Sequence, residues 1–75
     1  MTKKIQLRSI DDVKKFVNLV NNYSCDIDLV SGRYTIDAKS IMGIFSLDLS
    51  KPIDVVINDN QYSEKFFNEI DNFII

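Results

Sequence analysis

Two segments of this sequence repeat apolar residues at spacings of three and four, the pattern of amphipathic helices. The first segment follows Ser9, a natural helix cap, and its apolar stripe comprises Ile10, Val13, Phe16, Val17 and Val20. The second segment follows Asp59 and Asn60, either of which is expected to cap it, and its stripe comprises Tyr62, Phe66, Ile70, Phe73 and Ile74. A chain of 75 residues has room for one core, so both stripes must be buried against the same sheet.

A β-hairpin is predicted between the two helices. Residues 25–29 and 33–37 alternate polar and apolar side chains on either side of Gly32, which supplies the positive φ that a tight turn requires. The side chains expected to face the core are Ile27, Leu29, Tyr34 and Ile36.

Two further strands and a short helix complete the prediction. Residues 4–7 alternate in polarity, and residues 53–57 are mostly β-branched and follow Pro52. Glycine and serine interrupt residues 38–47 too often for a strand, and Ser40 is expected to cap a short helix that begins at Ile41.

The predicted order of elements is therefore β-α-β-β-α-β-α. It indicates an α+β fold in which a four-stranded antiparallel sheet carries the helices on one face and leaves the other face open. We expect residues 1–75 to form one domain.

The composition excludes several classes of function. The sequence has no histidine, which excludes Ser-His-Asp and Cys-His catalysis and histidine-ligated metals, and its single cysteine, Cys25, excludes an internal disulfide. We therefore expect no enzymatic activity, no cofactor and no metal, and a reducing, cytoplasmic location. A net charge of -2 argues against nucleic-acid binding, and no apolar run is long enough to enter a membrane.

Residues 26–47 resemble the HPr phosphocarrier proteins of the bacterial sugar phosphotransferase system, most specifically in the run KSIMG at residues 39–43. The predicted order of elements matches as well, so the resemblance covers essentially the whole chain, by pattern alone at its two ends. It implies an open-faced β-sandwich in which the serine of the run, Ser40, is open to phosphorylation by an ATP-dependent kinase. It also implies that the short helix after Ser40 docks proteins of the phosphotransferase system or its regulators.

The activity of that family depends on a histidine in a Gly-x-His-x-Arg-Pro stretch before the first long helix. An ungapped count back from Tyr23 places the histidine position at Ser9, the arginine position at Asp11 and the proline position at Asp12. The phosphoryl acceptor is missing, and two carboxylates in the first helical turn would repel a phosphate dianion. We therefore expect no phosphorylation by the histidine relay.

The short helix is expected to expose part of its apolar surface. In two turns, Ile41, Met42 and Phe45 share a face distinct from that of Ile44, so an apolar patch should lie beside Ser40, with Lys39 as a nearby positive charge. We expect this patch to dock partners. Ser40 has two interpretations: a helix cap only, or a cap that is also a regulatory phosphorylation site.

The sequence leaves three functional hypotheses. The first is a regulatory or protein-interaction module that lacks the phosphorylatable histidine. The second is a phosphocarrier that uses an unconventional acceptor such as Ser9 or Asp11. The third is a degenerate domain without retained activity.

Overall fold

The structure is a computed structural model, and it describes residues 2–75. The elements along the chain are β1 (Thr2–Ile5), α1 (Ile10–Val20), β2 (Ile27–Ser31), β3 (Tyr34–Asp37), α2 (Ile41–Phe45), β4 (Ile53–Ile57), α3 (Ser63–Glu69) and a 3₁₀ turn (Asp71–Phe73). The predicted order is confirmed, and α1 has the bounds that its apolar stripe indicates.

The four strands form one sheet in the order β1-β4-β2-β3, and every neighbouring pair is antiparallel. Leu29 at the centre of β2 lies opposite Val55 of β4 and Ile36 of β3. The helices cover the face to which Leu29 contributes. The other face is open and carries the ion pair between Lys4 Nζ and Asp54 Oδ1, 3.0 Å apart. The α+β open-faced sandwich expected from the sequence is therefore confirmed.

The core lies between the sheet and the helices. Its fully buried side chains include Ile5, Val13, Phe16, Val20, Ile27, Leu29, Ile44, Ile53, Val55, Phe66 and Ile70. The Phe16 ring meets the Phe73 ring edge-on, with the ring centroids 6.0 Å apart. Burial of Ile44 ties the short helix α2 to this core, so the rest of α2 is held in a fixed position at the surface.

The two edges of the sheet differ. The C-terminal residues cover the outer edge of β1: Ile74 forms a bridge with Ile5, Ile75 N donates to Lys4 O at 3.1 Å, and Gln6 N donates to Phe73 O at 2.9 Å. The outer edge of β3, by contrast, pairs with no other strand within residues 2–75.

Three residues predicted to face the core are exposed, and one of them, Tyr62 at the start of α3, is 39% exposed. Tyr34, the first residue of β3, is 69% exposed, and Ile10, the first residue of α1, is 63% exposed. Each lies at the end of its element, where the opposing layer no longer covers it. The alternating and helical patterns identify the correct face but not the point at which cover ends.

The C-terminal segment also differs from its prediction. The stripe from Tyr62 to Ile74 predicts one helix, but α3 ends at Glu69 and the chain becomes extended at Ile74 to pair with β1. Neither Asp59 nor Asn60 caps α3: Asp59 Oδ1 accepts from Gln61 N at 2.7 Å within a turn, and the helix begins after Tyr62 without a side-chain cap.

The strand bounds shift by up to two residues. The first strand is Thr2–Ile5 rather than residues 4–7, although Leu7 is buried as expected. The hairpin strands are Ile27–Ser31 and Tyr34–Asp37, and Gly32 has the predicted positive φ of 60°.

Candidate functional site

Ser9 caps α1, and its hydroxyl is occupied in that role. Ser9 Oγ accepts a hydrogen bond from Asp12 N at 3.1 Å, and Asp12 Oδ2 in turn accepts from Arg8 N at 2.9 Å. This reciprocal arrangement is a capping box displaced by one residue. No side chain is hydrogen-bonded to Ser9 as a general base among the described residues, so the local geometry supplies no means of activating its hydroxyl.

The first turn of α1 is negatively charged. Asp11 is exposed, and Asp12 is half-buried with one carboxylate oxygen on the Arg8 amide. Both carboxylates complement the positive end of the helix dipole. An anion such as phosphate would be repelled at the same place, even though the helix amides attract it.

Ser40 caps the short helix α2. Its Oγ accepts from Gly43 N at 3.2 Å, as the sequence predicts, and the residue is exposed. Lys39 is half-buried, and its backbone N donates to Asp37 Oδ1 at 2.8 Å, which fixes the turn that leads into the cap. Solvent therefore reaches Ser40, while its cap bond orders the helix behind it.

The apolar side chains of α2 divide between core and surface. Met42 is 77% exposed and Phe45 is 41% exposed, whereas Ile41 is half-buried and packs against the core. Two of the three residues predicted to form a patch are therefore at the surface, and the third supports them.

A shallow cavity of about 390 Å³ joins the α2 surface to the start of α1. Its lining consists of Leu7, Arg8, Ser9, Ile10, Phe45, Leu49 and Ser50. The structure thus brings Ser9 and Phe45 to one place, while Ser40 lies at the far end of the same short helix. We call the exposed apolar residues Ile10, Met42 and Phe45 the docking patch, after the role that the sequence predicts for the surface beside Ser40.

Sequence reasoning missed two residues of this site. It assigned Ile10 to the core and gave Arg8 no role, yet both line the cavity. The position of Ile10 at the margin of its stripe, in the first turn after a cap, was a signal in the sequence that it could be exposed. No local pattern indicated that Arg8 and Phe45 would line the same cavity.

Metal ligands and membrane spans are not features of the described part of the chain. Residues 2–75 contain no group of three or more histidine, cysteine or acidic side chains placed to hold a metal ion. None of the described helices has the length and apolar character needed to traverse a bilayer.

Comparison with known protein families supports the resemblance seen in the sequence. A family model described as the PTS HPr component phosphorylation site matches residues 12–74. The chain belongs to the HPr family. The match begins at Asp12, three residues after Ser9.

Solved structures of HPr proteins share this fold. HPr-C-His from Thermoanaerobacter tengcongensis superposes with a TM-score of 0.80 at 20% identity, covering 96% of this chain and 88% of that one. The phosphocarrier protein HPr from Bacillus anthracis gives a TM-score of 0.76 at 23% identity, covering 100% of this chain and 96% of that one.

The histidine-containing phosphocarrier protein of a Mycoplasma gives a TM-score of 0.73 at 14% identity, covering 96% of this chain and 86% of that one. A search of curated proteins finds no match. At these identities the structural likeness establishes the HPr fold alone.

Proposed function

We propose that this HPr-family chain is a regulatory or interaction module of the sugar phosphotransferase system that docks partner proteins and does not carry phosphate on histidine. The observation that carries the proposal is the docking patch, an exposed apolar surface in a sequence that has no histidine. The module is not itself an enzyme, and its single cysteine fits a cytoplasmic location.

The chemistry of the patch supports docking. Exposed apolar side chains that cluster beside a concave surface are typical of protein-interaction sites. Met42 has a flexible side chain that adapts to different partners, and Phe45 offers an aromatic anchor at the rim of the cavity.

The start of α1 argues against a carrier with an unconventional acceptor. The Ser9 hydroxyl is engaged by the Asp12 amide, and a phosphoryl group on Asp11 would lie beside a second carboxylate. Arg8 offers the one positive side chain among the residues that line the cavity. That charge is outnumbered by the two acidic groups of the adjacent turn.

A titration of isotope-labelled protein tests the docking. The unlabelled partners are the first enzyme of the phosphotransferase relay and the serine kinase of the family, added separately. We expect at least one of them to shift or broaden the resonances of the docking patch. No change with either protein would contradict the proposal.

Two substitutions in the patch sharpen this test. Met42→Asp and Ile10→Asp alter exposed side chains, and each is expected to weaken binding by about tenfold or more, the usual effect of removing an apolar anchor. Ile75→Asp is the matched control, because Ile75 is 55% exposed and lies outside the patch. Equal losses in all three variants would contradict docking through the patch.

A second experiment tests Ser40 as a regulatory switch. Phosphoserine at an N-cap meets free backbone amides and the positive end of the helix dipole, so the modification should leave the fold intact while adding charge beside the patch. Incubation with ATP and the serine kinase should add one phosphoryl group that maps to Ser40 and is absent in Ser40→Ala. Absence of incorporation would leave Ser40 as a cap only.

The phosphocarrier alternative has its own measurement. Incubation with phosphoenolpyruvate and the first enzyme of the relay, followed by intact mass, should show no phosphoryl gain. A gain that disappears in Ser9→Ala or Asp11→Asn would replace the proposed function with the carrier function.

A further inference from the structure

The outer edge of β3 has the exposed backbone groups of an unpaired strand. Gly32 and Arg33 form a two-residue turn with positive φ at the glycine alone, so Ser31 and Tyr34 close the hairpin as a hydrogen-bonded pair. Hydrogen-bonded and non-bonded pairs alternate along an antiparallel ladder. The N–H and C=O of Thr35 therefore point away from β2, toward solvent.

We propose that a second copy of this chain pairs with β3 in the antiparallel sense, with Thr35 opposite Thr35. Two hydrogen bonds between the Thr35 backbone groups would flank the two-fold axis, which relates one to the other. In an antiparallel pair, each step away from Thr35 along one strand is matched by a step in the opposite direction along the other. Arg33 of each copy therefore lies opposite Asp37 of the other. The inference does not depend on the proposed function.

Charge complementarity selects this occupant and this register. Within one copy, Asp37 lies directly opposite Asp28 of β2 on the open face, a cross-strand pair of like charges that is unfavourable. Arg33 of a second copy would approach Asp37 from the other side. The dimer would contain this charge pair twice, and each pair would offset a repulsion that exists in the monomer.

Apolar side chains complement each other in the same register. Tyr34 is 69% exposed, and Ile36 is half-buried. Tyr34 of one copy would lie opposite Ile36 of the other, on the face of the sheet that carries the helices. Such aromatic and β-branched cross-strand pairs stabilise antiparallel ladders.

The association should be weak and should stop at two copies. β3 has four residues, so its edge buries less surface than a stable interface requires. The other edge of the sheet is already covered by residues 73–75, and the two-fold contact uses up the β3 edge of both copies. Further copies therefore have no β3 edge to join.

Sedimentation equilibrium over a wide range of protein concentration tests the proposal. We expect a reversible monomer–dimer equilibrium, with concentration-dependent amide shifts confined to residues 33–37. A monomer at every concentration would overturn the proposal. It would do so even if the β3 edge pairs with a strand of some other protein. Shifts confined to the docking patch would overturn it as well.

A complementation test addresses the register. Arg33→Glu places two acidic groups opposite each other in a homodimer, and Asp37→Arg places two basic groups opposite each other, so each variant alone should be monomeric. In an equimolar mixture the heterodimer contains two charge pairs of opposite sign, one the native Arg33–Asp37 pair and the other with its signs exchanged, so the heterodimer should form. Dimerisation of either variant alone, or failure of the mixture to associate while each variant remains folded, would overturn the register.

Thr35→Pro provides a variant that does not depend on charge. Proline removes the outward N–H beside the two-fold axis, and proline is tolerated on an edge strand where the amide faces solvent. Thr35→Val keeps the amide and serves as the matched control. We expect loss of dimer for proline and retention for valine, and dimerisation of a folded proline variant would contradict the pairing.

Discussion

The hydrogen bond between Tyr23 and Glu69 ties the end of α1 to α3, and its removal is a direct test of how this small fold is held together. Tyr23 is buried, its ring packs edge-on against Phe66 with centroids 5.3 Å apart, and its hydroxyl donates to Glu69 Oε1. Tyr23→Phe keeps the ring and removes only the hydroxyl. The change therefore isolates the hydrogen bond from the packing.

The expected decrease in the free energy of unfolding depends on how well water replaces the lost hydrogen bond. A hydrogen bond to a charged group contributes roughly 1.5–3 kcal/mol when both partners are enclosed. Glu69 is exposed, so water can solvate its carboxylate in the variant and the loss should be nearer to 1 kcal/mol. In a domain of this size about 1 kcal/mol lowers the Tm by roughly 4–8 °C.

The same bond gives a pH dependence of known sign. Burial, followed by the hydrogen bond and the negative charge of Glu69, raises the pKa of Tyr23 above its ordinary value of 10.0. The raised folded-state pKa means that the stabilisation is complete below pH 10 and is lost as the pH rises above it. The loss is at most about 1.4 kcal/mol per pH unit and is smaller where solvent screens Glu69.

Urea unfolding of wild type and Tyr23→Phe at pH 7 and pH 11 measures both effects. We expect the wild type to be more stable at pH 7 and the difference to shrink at pH 11, since phenylalanine does not titrate. A double-mutant cycle with Glu69→Ala should assign the pH 7 difference to this pair. Equal stabilities at pH 7, or a difference that stays constant to pH 11, would refute the reasoning.

Three further predictions concern local structure. Ser40→Ala should lower the free energy of unfolding by about 1 kcal/mol through loss of its cap bond, whereas Ser40→Asp, also a good cap, should leave it nearly unchanged; urea titration of both checks this. Gly32→Ala should cost roughly 1–2 kcal/mol, because φ is 60° there, and a loss equal to that of an exposed control such as Ser24→Ala would contradict the turn geometry. Phe16→Ala should cost about 3–5 kcal/mol and leave a largely unfolded chain by circular dichroism, and a native spectrum would show that the core tolerates the cavity.

Local signals in the sequence were sufficient for much of this fold. The cap at Ser9 and the stripe after it gave the bounds of α1, and Ser40 and Gly32 were identified as a cap and a turn because each role depends on neighbouring residues alone. The prediction of a single C-terminal helix was wrong because a long-range contact determines the structure there. Pairing with β1 makes Ile74 extended, and a contact with the other end of the chain overrides the helical pattern.

The candidate site likewise combines features that neighbouring residues determine with features that long-range contacts determine. The exposure of Met42 and Phe45 follows from their face of a short helix whose opposite face must hold Ile44 in the core. The position of Ile10 at the margin of its stripe indicated that it could be exposed, but the contribution of Arg8 could not be predicted, because it arises where the loop before α1 meets the loop after α2. Residues that are distant in sequence form this cavity, so no local pattern contains it.

The C-terminal cover of β1 has a consequence for how the chain folds during synthesis. The β2–β3 hairpin closes through neighbouring residues, so it can form as soon as it has been translated. β1 is the first of the strands to be translated, but both of its partners come much later in the chain. It pairs with β4, where Lys4 and Asp54 are 50 residues apart in sequence, and it forms the bridge to Ile74. Closing such long loops is entropically costly and slow. Of the four strands, the first to be made is therefore expected to be the last to be secured, because its bridge partner Ile74 is translated after all of them.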